Sequence, residues 1–275
     1  MDNELRFAAD LYQGTAGYYD RYRLPYPEAM TEHLIASAGV SGPGRLLDLA
    51  CGTGQLTFPL RRRFSEVWAV DREPDMAEAV RAKADALGAG NIRAVAADAE
   101  SLGAEPGYFE LAVIGNAFHR LRRDLVADRL FGWLRPGGCV ALCWSHGPEA
   151  GDEGWQRALA ALLEKWRGTL GAEDRVPANW AEPRRRRPDQ QVLSEAGFEP
   201  AGRREFVVEY QWSLPELAGF IRSTSSLPDS VLGDQGAAFD ADLAASLGPL
   251  AEGGTFHQAV GFACDLARKP AQEKP

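Results

Sequence analysis

Cysteine is scarce in this chain: four in 275 residues, at Cys51, Cys139, Cys143 and Cys264, with no C-x-x-C pair among them. That excludes a disulfide framework and points to a reducing, cytoplasmic compartment. Long apolar runs are missing as well. No stretch approaches the ~18 unbroken apolar residues of a membrane span, and the first residues carry acids early without an apolar core, so no secretory leader or anchor is expected. Basic charge is in deficit. Lys and Arg number 30 against 39 Asp and Glu, a net charge of -9, which argues against holding nucleic acid by bulk attraction. Solenoid-length repeats and low-complexity tracts are also absent. What is present is ordinary: 45% hydrophobic, 25% charged and 9% aromatic residues, the composition of a globular domain with a sizeable core. The expected partner is a small molecule, without nucleic acid or membrane, bound by a monomer or homodimer.

Short apolar runs alternate with helical patterns from residue 45 onward. Arg45 to Ala50, Glu66 to Asp71, Ile92 to Ala97, Phe109 to Gly115 and Gly138 to Trp144 read as five strands. The segments between them repeat their apolar residues at helical spacing and end on Gly and Pro. This alternation predicts an α/β fold, a doubly wound, mostly parallel sheet with helices on both faces. The pattern breaks after Trp144. A later strand is expected near Arg203 to Tyr210, a helix from Leu214, and a last apolar stretch from Phe256 to Leu266. The chain therefore divides, within one domain of 1–275, into an N-terminal lid (1–44), a ligand-binding core (45–145), a cover (146–190) and a C-terminal part of the sheet with its helices (191–275).

The most informative segment is the run from Leu46 to Leu56, LLDLACGTGQL. A strand runs into Gly52 and Gly54 and then a helix, so the backbone can turn tightly and approach a ligand without a Cβ in the way. Free N–H groups lie at the helix start beyond. Asp71 closes the second strand, where a carboxylate can accept from both hydroxyls of a ribose. Asp98 follows the third, where it could accept from an adenine amino group. Each acid alone is an ordinary loop or cap residue. Together with the glycine loop they favour a nucleoside ligand. A dinucleotide loop, G-x-G-x-x-G/A, is not matched, because Thr57 stands at the third small position; nor does GKS or GKT follow the glycines, as a nucleoside triphosphate loop requires.

These residues resemble the S-adenosylmethionine-dependent methyltransferases of the seven-stranded Rossmann-like type. Gly115-Asn116-Ala117-Phe118-His119 and Tyr22-Arg23-Leu24-Pro25-Tyr26-Pro27 are similar to signatures of the small-molecule branch of that family. The resemblance implies S-adenosyl-L-methionine as cofactor, S-adenosyl-L-homocysteine as its product, and a methyl transfer to a small acceptor, first of all an oxygen of a metabolite or secondary product. It implies cofactor contacts at Tyr18, Tyr22, Arg23, Asp48, Ala50, Gly52, Gly54, Leu56, Asp71, Arg72, Met76, Asp98, Ala99, Asn116 and Phe118, with Arg23 set against the methionine carboxylate. No metal is implied. The chain departs from the family at Ala50, where Gly is usual, and at Arg120, where Trp is usual.

His119, after the fourth strand, is the expected catalytic base, because an imidazole titrates near neutrality; His146 is second in line. The tyrosines at 12, 18, 19, 22 and 26 suggest a lid or simple helix packing. The run Arg184 to Arg187 reads as a solvated loop. Cys139 and Cys143 should share one strand face. Trp155, Trp166, Trp180 and Trp212 are core residues or the walls of an apolar, aromatic or polyketide-like acceptor pocket. Three rival functions stay open: a cyclisation or rearrangement at the same cofactor, a non-catalytic cofactor sensor, and a nicotinamide oxidoreductase.

Overall fold

Leu46, Leu47 and Leu49 are fully buried, so the strand that carries them is covered on both faces and must lie inside a sheet. In the computed structural model, which describes residues 7–8, 10–39 and 44–271, this strand is β1 (Gly44–Leu49). It pairs in parallel with β2 (Phe64–Asp71) on one side and β4 (Phe109–Gly115) on the other. With β3 (Ile92–Ala96), β5 (Leu134–Ser145), β6 (Glu199–Trp212) and β7 (Phe256–Arg268) the seven strands run in the order β3-β2-β1-β4-β5-β7-β6. β7 is antiparallel to both β5 and β6. The order reverses between β1 and β4, and in an open α/β sheet that switch point opens a crevice at the carboxyl ends of the strands.

The helices are α1 (Ala16–Tyr22), α2 (Glu28–Ala38), α3 (Thr57–Leu60), α4 (Pro74–Ala86), α5 (Arg123–Trp133) and α6 (Gly154–Thr169). They continue with α7 (Glu182–Arg186), α8 (Asp189–Glu195), α9 (Leu214–Arg222), α10 (Asp229–Leu232) and α11 (Gly236–Leu247). One face of the sheet packs Trp68, Phe109, Phe118 and Leu142 under α5 and α8. The other packs Leu46, Val113, Cys139, Cys143 and Cys264 under α2 and α3, so Cys139 and Cys143 do share a face.

A third core lies beyond the sheet end. Trp155, Leu159, Leu162 and Trp166 of α6 meet Leu217 and Phe220 of α9, Phe239 and Leu243 of α11, and Trp212. Reciprocal capping fixes two of these helix starts, Glu153 with Gln156 and Ser213 with Glu216, each satisfying otherwise unpaired backbone N–H groups. Trp155, Trp166 and Trp212 are thus core residues, and their indole nitrogens donate to His257 O, Asp242 and Gln258. The expectation that they wall an acceptor pocket does not hold, because α6 turns its apolar face toward α9 and α11. The arginine run is not a loop either. Arg184 to Arg186 end α7 and Arg187 caps it; Arg184 donates to Asp189, and Arg187 reaches Asp124 and Glu195.

The roof over the crevice comes from residues 7–8 and 10–23. It is fastened to α4 by Gly14 N–H donating to Asp75 and by Lys83 to Asp20. Arg175 holds its other side, pairing with Asp10 and donating to Ser225 O.

Candidate active site

Two connected chambers open above the carboxyl ends of β1, β2, β4 and β5. The larger, about 910 Å³ with the space open to solvent at its mouth, is lined by Asp71, Arg72, Met76, Asp98, Ala99 and Arg120 among others. The smaller is lined by Arg23, Tyr26, Asp48, Leu56, Ser145, His146 and Phe220 among others. Tyr19, Ala50, Gly115 and Asn116 line both, so the two chambers adjoin at these four residues.

The glycine loop forms the floor. Asp71 accepts from Gly52 N–H at 2.8 Å and from Glu73 N–H at 3.0 Å, which ties the turn after β1 to the start of α4. Burial pushes its carboxyl pKa up, against those two hydrogen bonds. Gly52 has φ +55°, and a Cβ there would stand 2.9 Å from the Tyr19 ring. At Gly115 a Cβ would meet the Tyr26 hydroxyl at 2.8 Å. The glycines are therefore required by close approach, and the tyrosines that approach belong to the roof.

Ala50 and Asn116 are the two non-glycine residues with positive φ among the described residues, at +55° and +49°. They follow β1 and β4, the two strands at the switch point. A side chain in the left-handed region costs about 1–2 kcal/mol, and such strain gathers at functional turns. Asn116 compensates by bracing β4 to β5: its Nδ2 donates to Ser145 Oγ at 2.6 Å and its Oδ1 accepts from Ser145 N–H at 3.1 Å. Ala50 has no such compensation. Ala50→Gly should therefore raise the urea unfolding free energy by about 1 kcal/mol, and a loss would show that its methyl contributes packing that outweighs the strain.

Asp48 is fully enclosed. Its Oδ2 accepts from Thr57 Oγ1 at 2.5 Å, while Oδ1 has no protein partner. Burial drives its pKa up to about 7, with Thr57 opposing and Asp71 adding to the shift. Because folding favours the protonated form, its stabilising effect is complete below the unfolded value of 3.8 and fades as pH rises through about 7. Asp48→Asn should remove that decline. The variant is expected to match the parent in urea unfolding near pH 4 and exceed it at pH 8; equal stability at both would mean that Asp48 ionises without cost.

Most of the residues expected at the site come together here: Arg23, Asp48, Ala50, Gly52, Leu56, Asp71, Arg72, Met76, Asp98, Ala99 and Asn116 all line one chamber or the other. Asp98 also pairs with Arg72 at 3.6 Å. Gly54 lines neither chamber; its φ of +89° serves the turn. Tyr18 and Tyr22 stack on each other at 6.1 Å, and Tyr22 packs on Gly219 of α9, so both face away from the crevice. Phe118 is wholly buried in the sheet core.

His119 is also displaced from the expected place. It lines neither chamber and sits between Trp144 and Trp180, at ring distances of 5.8 and 5.1 Å. Burial, joined by the charges of Arg120, Arg184 and Arg123, lowers its pKa to about 2. It lies behind Phe7 and Arg120, which line the larger chamber, and a pKa that low makes its imidazole a weak proton acceptor.

Tyr12 and Tyr19, two of the tyrosines expected to form a lid, line the larger chamber, as does Arg120, the residue that departs from the family pattern. Arg120 donates to the Tyr12 hydroxyl and its guanidinium lies 4.7 Å from that ring. Burial would raise the Tyr12 phenol, but Arg120 and Arg23 outweigh it and hold the pKa below its usual value. His146 is exposed to the smaller chamber. Its ring lies against Gly261 of β7, where a Cβ would stand 2.9 Å from Nδ1.

Residues 46–138 match the family model described as a methyltransferase domain. An uncharacterized methyltransferase of Mycobacterium tuberculosis is 29% identical over 152 residues, 55% of this chain and 58% of its own length. A demethylmenaquinone methyltransferase of Thermus thermophilus is 33% identical over 144 residues, 49% of this chain and 65% of its own. The chain thus spans less than two thirds of the curated relatives it matches. A putative type II methyltransferase from Anaeromyxobacter dehalogenans shares the fold, with a TM-score of 0.57 at 21% identity, over 91% of this chain and all of the other.

Proposed function

We propose, for a chain whose residues 46–138 match a methyltransferase domain model and whose sheet has seven strands, that the crevice binds S-adenosyl-L-methionine and that the protein transfers its methyl group to a small-molecule acceptor. The observation that carries this reading is the continuous lining from Asp98 and Asp71 through the glycine loop to Asp48. Its parts fit the group. Asp71 turns its carboxylate to the larger chamber while fixing the loop, as recognition of a ribose requires. Asp48 Oδ1, enclosed and without a protein partner, offers its lone pairs to an ammonium group, and Arg23 offers charge to a carboxylate. The cofactor, when bound, supplies an activated methyl group and its own leaving group, so the protein needs no covalent nucleophile.

What the chain contributes is alignment and exclusion of water. Held positioning of two reactants is worth ~7–11 kcal/mol. The nucleoside end of the cofactor belongs in the larger chamber, against Asp71 and Asp98, and its methionine end in the smaller, against Asp48 and Arg23. The acceptor enters the smaller chamber beside that end, where Tyr26, Ser145 and His146 stand with Leu24, Phe220 and Val260, a lining that suits a small molecule with polar groups better than a long apolar one. The demethylmenaquinone relative, by its name, also acts on a small molecule. His146 is the proton acceptor we assign, taking a hydroxyl proton from the acceptor and passing it to water, which makes oxygen the first choice of methylated atom.

General-base assistance is typically worth ~10²–10⁴-fold. His146→Ala should therefore lower turnover at least about tenfold while leaving cofactor affinity by calorimetry unchanged. Incubation with methyl-labelled cofactor and a panel of hydroxylated metabolites tests the function itself. Label in a product supports methyl transfer. Product without label would mean that the site runs a cyclisation or rearrangement, since fold does not fix chemistry; cofactor binding with no product from any acceptor would favour a sensor.

A further inference from the structure

Two features left over from the crevice, His119 and the arginine run, meet outside it. His119 Nε2 accepts from Arg120 Nε at 3.2 Å. A guanidinium can only donate, so the ring proton must be on Nδ1, and Nδ1 is buried without an acceptor. The indole of Trp144, 5.8 Å away ring to ring, is in the same condition: Nε1 is buried and has no acceptor. Unpaired buried donors cost about 1–3 kcal/mol each, so two on neighbouring rings are unusual.

The electrostatics point the same way. Arg184 lies over Trp144 at 4.0 Å. Arg184 and Arg123 take opposite oxygens of Asp189, each at 2.8 Å, so one buried carboxylate is shared by two cations. The charges that reach His119 are those of Arg120, Arg184 and Arg123, all positive. Trp180 closes the outer side and is 37% exposed, leaving the box one side chain away from solvent.

We propose that this box binds a small oxyanion, a carboxylate or phosphate group, accepting from His119 Nδ1–H and Trp144 Nε1–H within the field of the three arginines. The anion could be free in solution, or it could be the acid group of a molecule lying in the crevice, since Arg120 borders both places. Nothing in this site depends on the methyl-transfer reading.

The test follows indole N–H resonances of the full chain, which has seven tryptophans, with the Trp144 signal assigned from Trp144→Phe. Sodium acetate, phosphate and benzoate are titrated against chloride at constant ionic strength. The Trp144 proton should shift downfield and saturate in the millimolar range. His119→Phe and Arg184→Gln should each raise the midpoint at least about tenfold, the loss of one hydrogen bond or ion partner to a charge. Saturation with acetate and phosphate alike identifies free anions as the source; saturation with benzoate alone identifies the acid group of an organic molecule. A Trp144 signal that never saturates, or one that titrates equally in both variants while the other indole signals keep their parental positions, overturns the proposal.

Discussion

Gly52→Ala is expected to weaken S-adenosylhomocysteine binding at least about 100-fold and to destabilise the fold by about 2–4 kcal/mol. Two costs add. At φ +55° the new methyl is held in the left-handed region, and it would stand 2.9 Å from the Tyr19 ring. Tyr19 cannot simply swing away. Burial raises its phenol pKa to about 12, and Arg23 lies 4.9 Å over its ring, so displacement disturbs the roof as well as the floor. The same substitution moves the N–H that Asp71 holds. A double-mutant cycle separates the contributions: in a Tyr19→Ala background the steric part should disappear, and Gly52→Ala should then cost only its backbone share. Strict additivity would mean that Tyr19 and Gly52 do not press on each other.

Asp71→Ala should lower cofactor affinity by about 10- to 100-fold, measured by calorimetry, because a hydrogen bond to a charged group is worth ~1.5–3 kcal/mol. It should also lower stability, since Gly52 N–H and Glu73 N–H would both lose their acceptor. Asp71→Asn retains one acceptor oxygen and can satisfy only one of those N–H groups well. It should fall between Ala and the parent in stability but near Ala in affinity, because an amide oxygen accepts more weakly from ribose hydroxyls than a carboxylate. If Ala binds as the parent does, Asp71 is a brace for the loop and nothing more.

The sheet was legible where strands are buried on both faces. Phe109–Gly115 was expected with the bounds the structure gives it, because FELAVIG is apolar enough to need cover on both sides. β5 begins at Leu134, four residues before the expected Gly138. Pro136, Gly137 and Gly138 look like a turn, and locally they bend the strand: Gly137 has φ +76°, and the pairing with β4 jumps from Leu134 to Cys139, a bulge inside β5. α11 was not anticipated, although Phe239, Leu243 and Leu247 recur every fourth residue and are all buried; the alanines and acids around them dilute the pattern.

The site was legible at the strand ends and illegible in the roof. Asp71 and Asp98 follow from where strands stop, which fixes their positions along the sheet, whereas Asp48, inside β1, came only with the family resemblance. Tyr18 and Tyr22 are four apart and do share a face of α1, but periodicity cannot say which neighbour that face meets. It meets α9, and Tyr19, one step round the helix, turns to the glycine loop. His119 fails for a related reason. Phe118–Arg120 is a single 3-10 turn that sends Phe118 into the core, so Arg120, not His119, borders the crevice.

If the crevice holds an adenosyl-sulfur cofactor by Asp71 and the glycine loop, calorimetric titration should show one S-adenosylhomocysteine bound saturably per chain, with binding abolished or greatly weakened in Asp71→Ala and no heat from NAD or NADP. Binding of either dinucleotide in its place, or S-adenosylhomocysteine binding that ignores Asp71, would refute this assignment of the crevice.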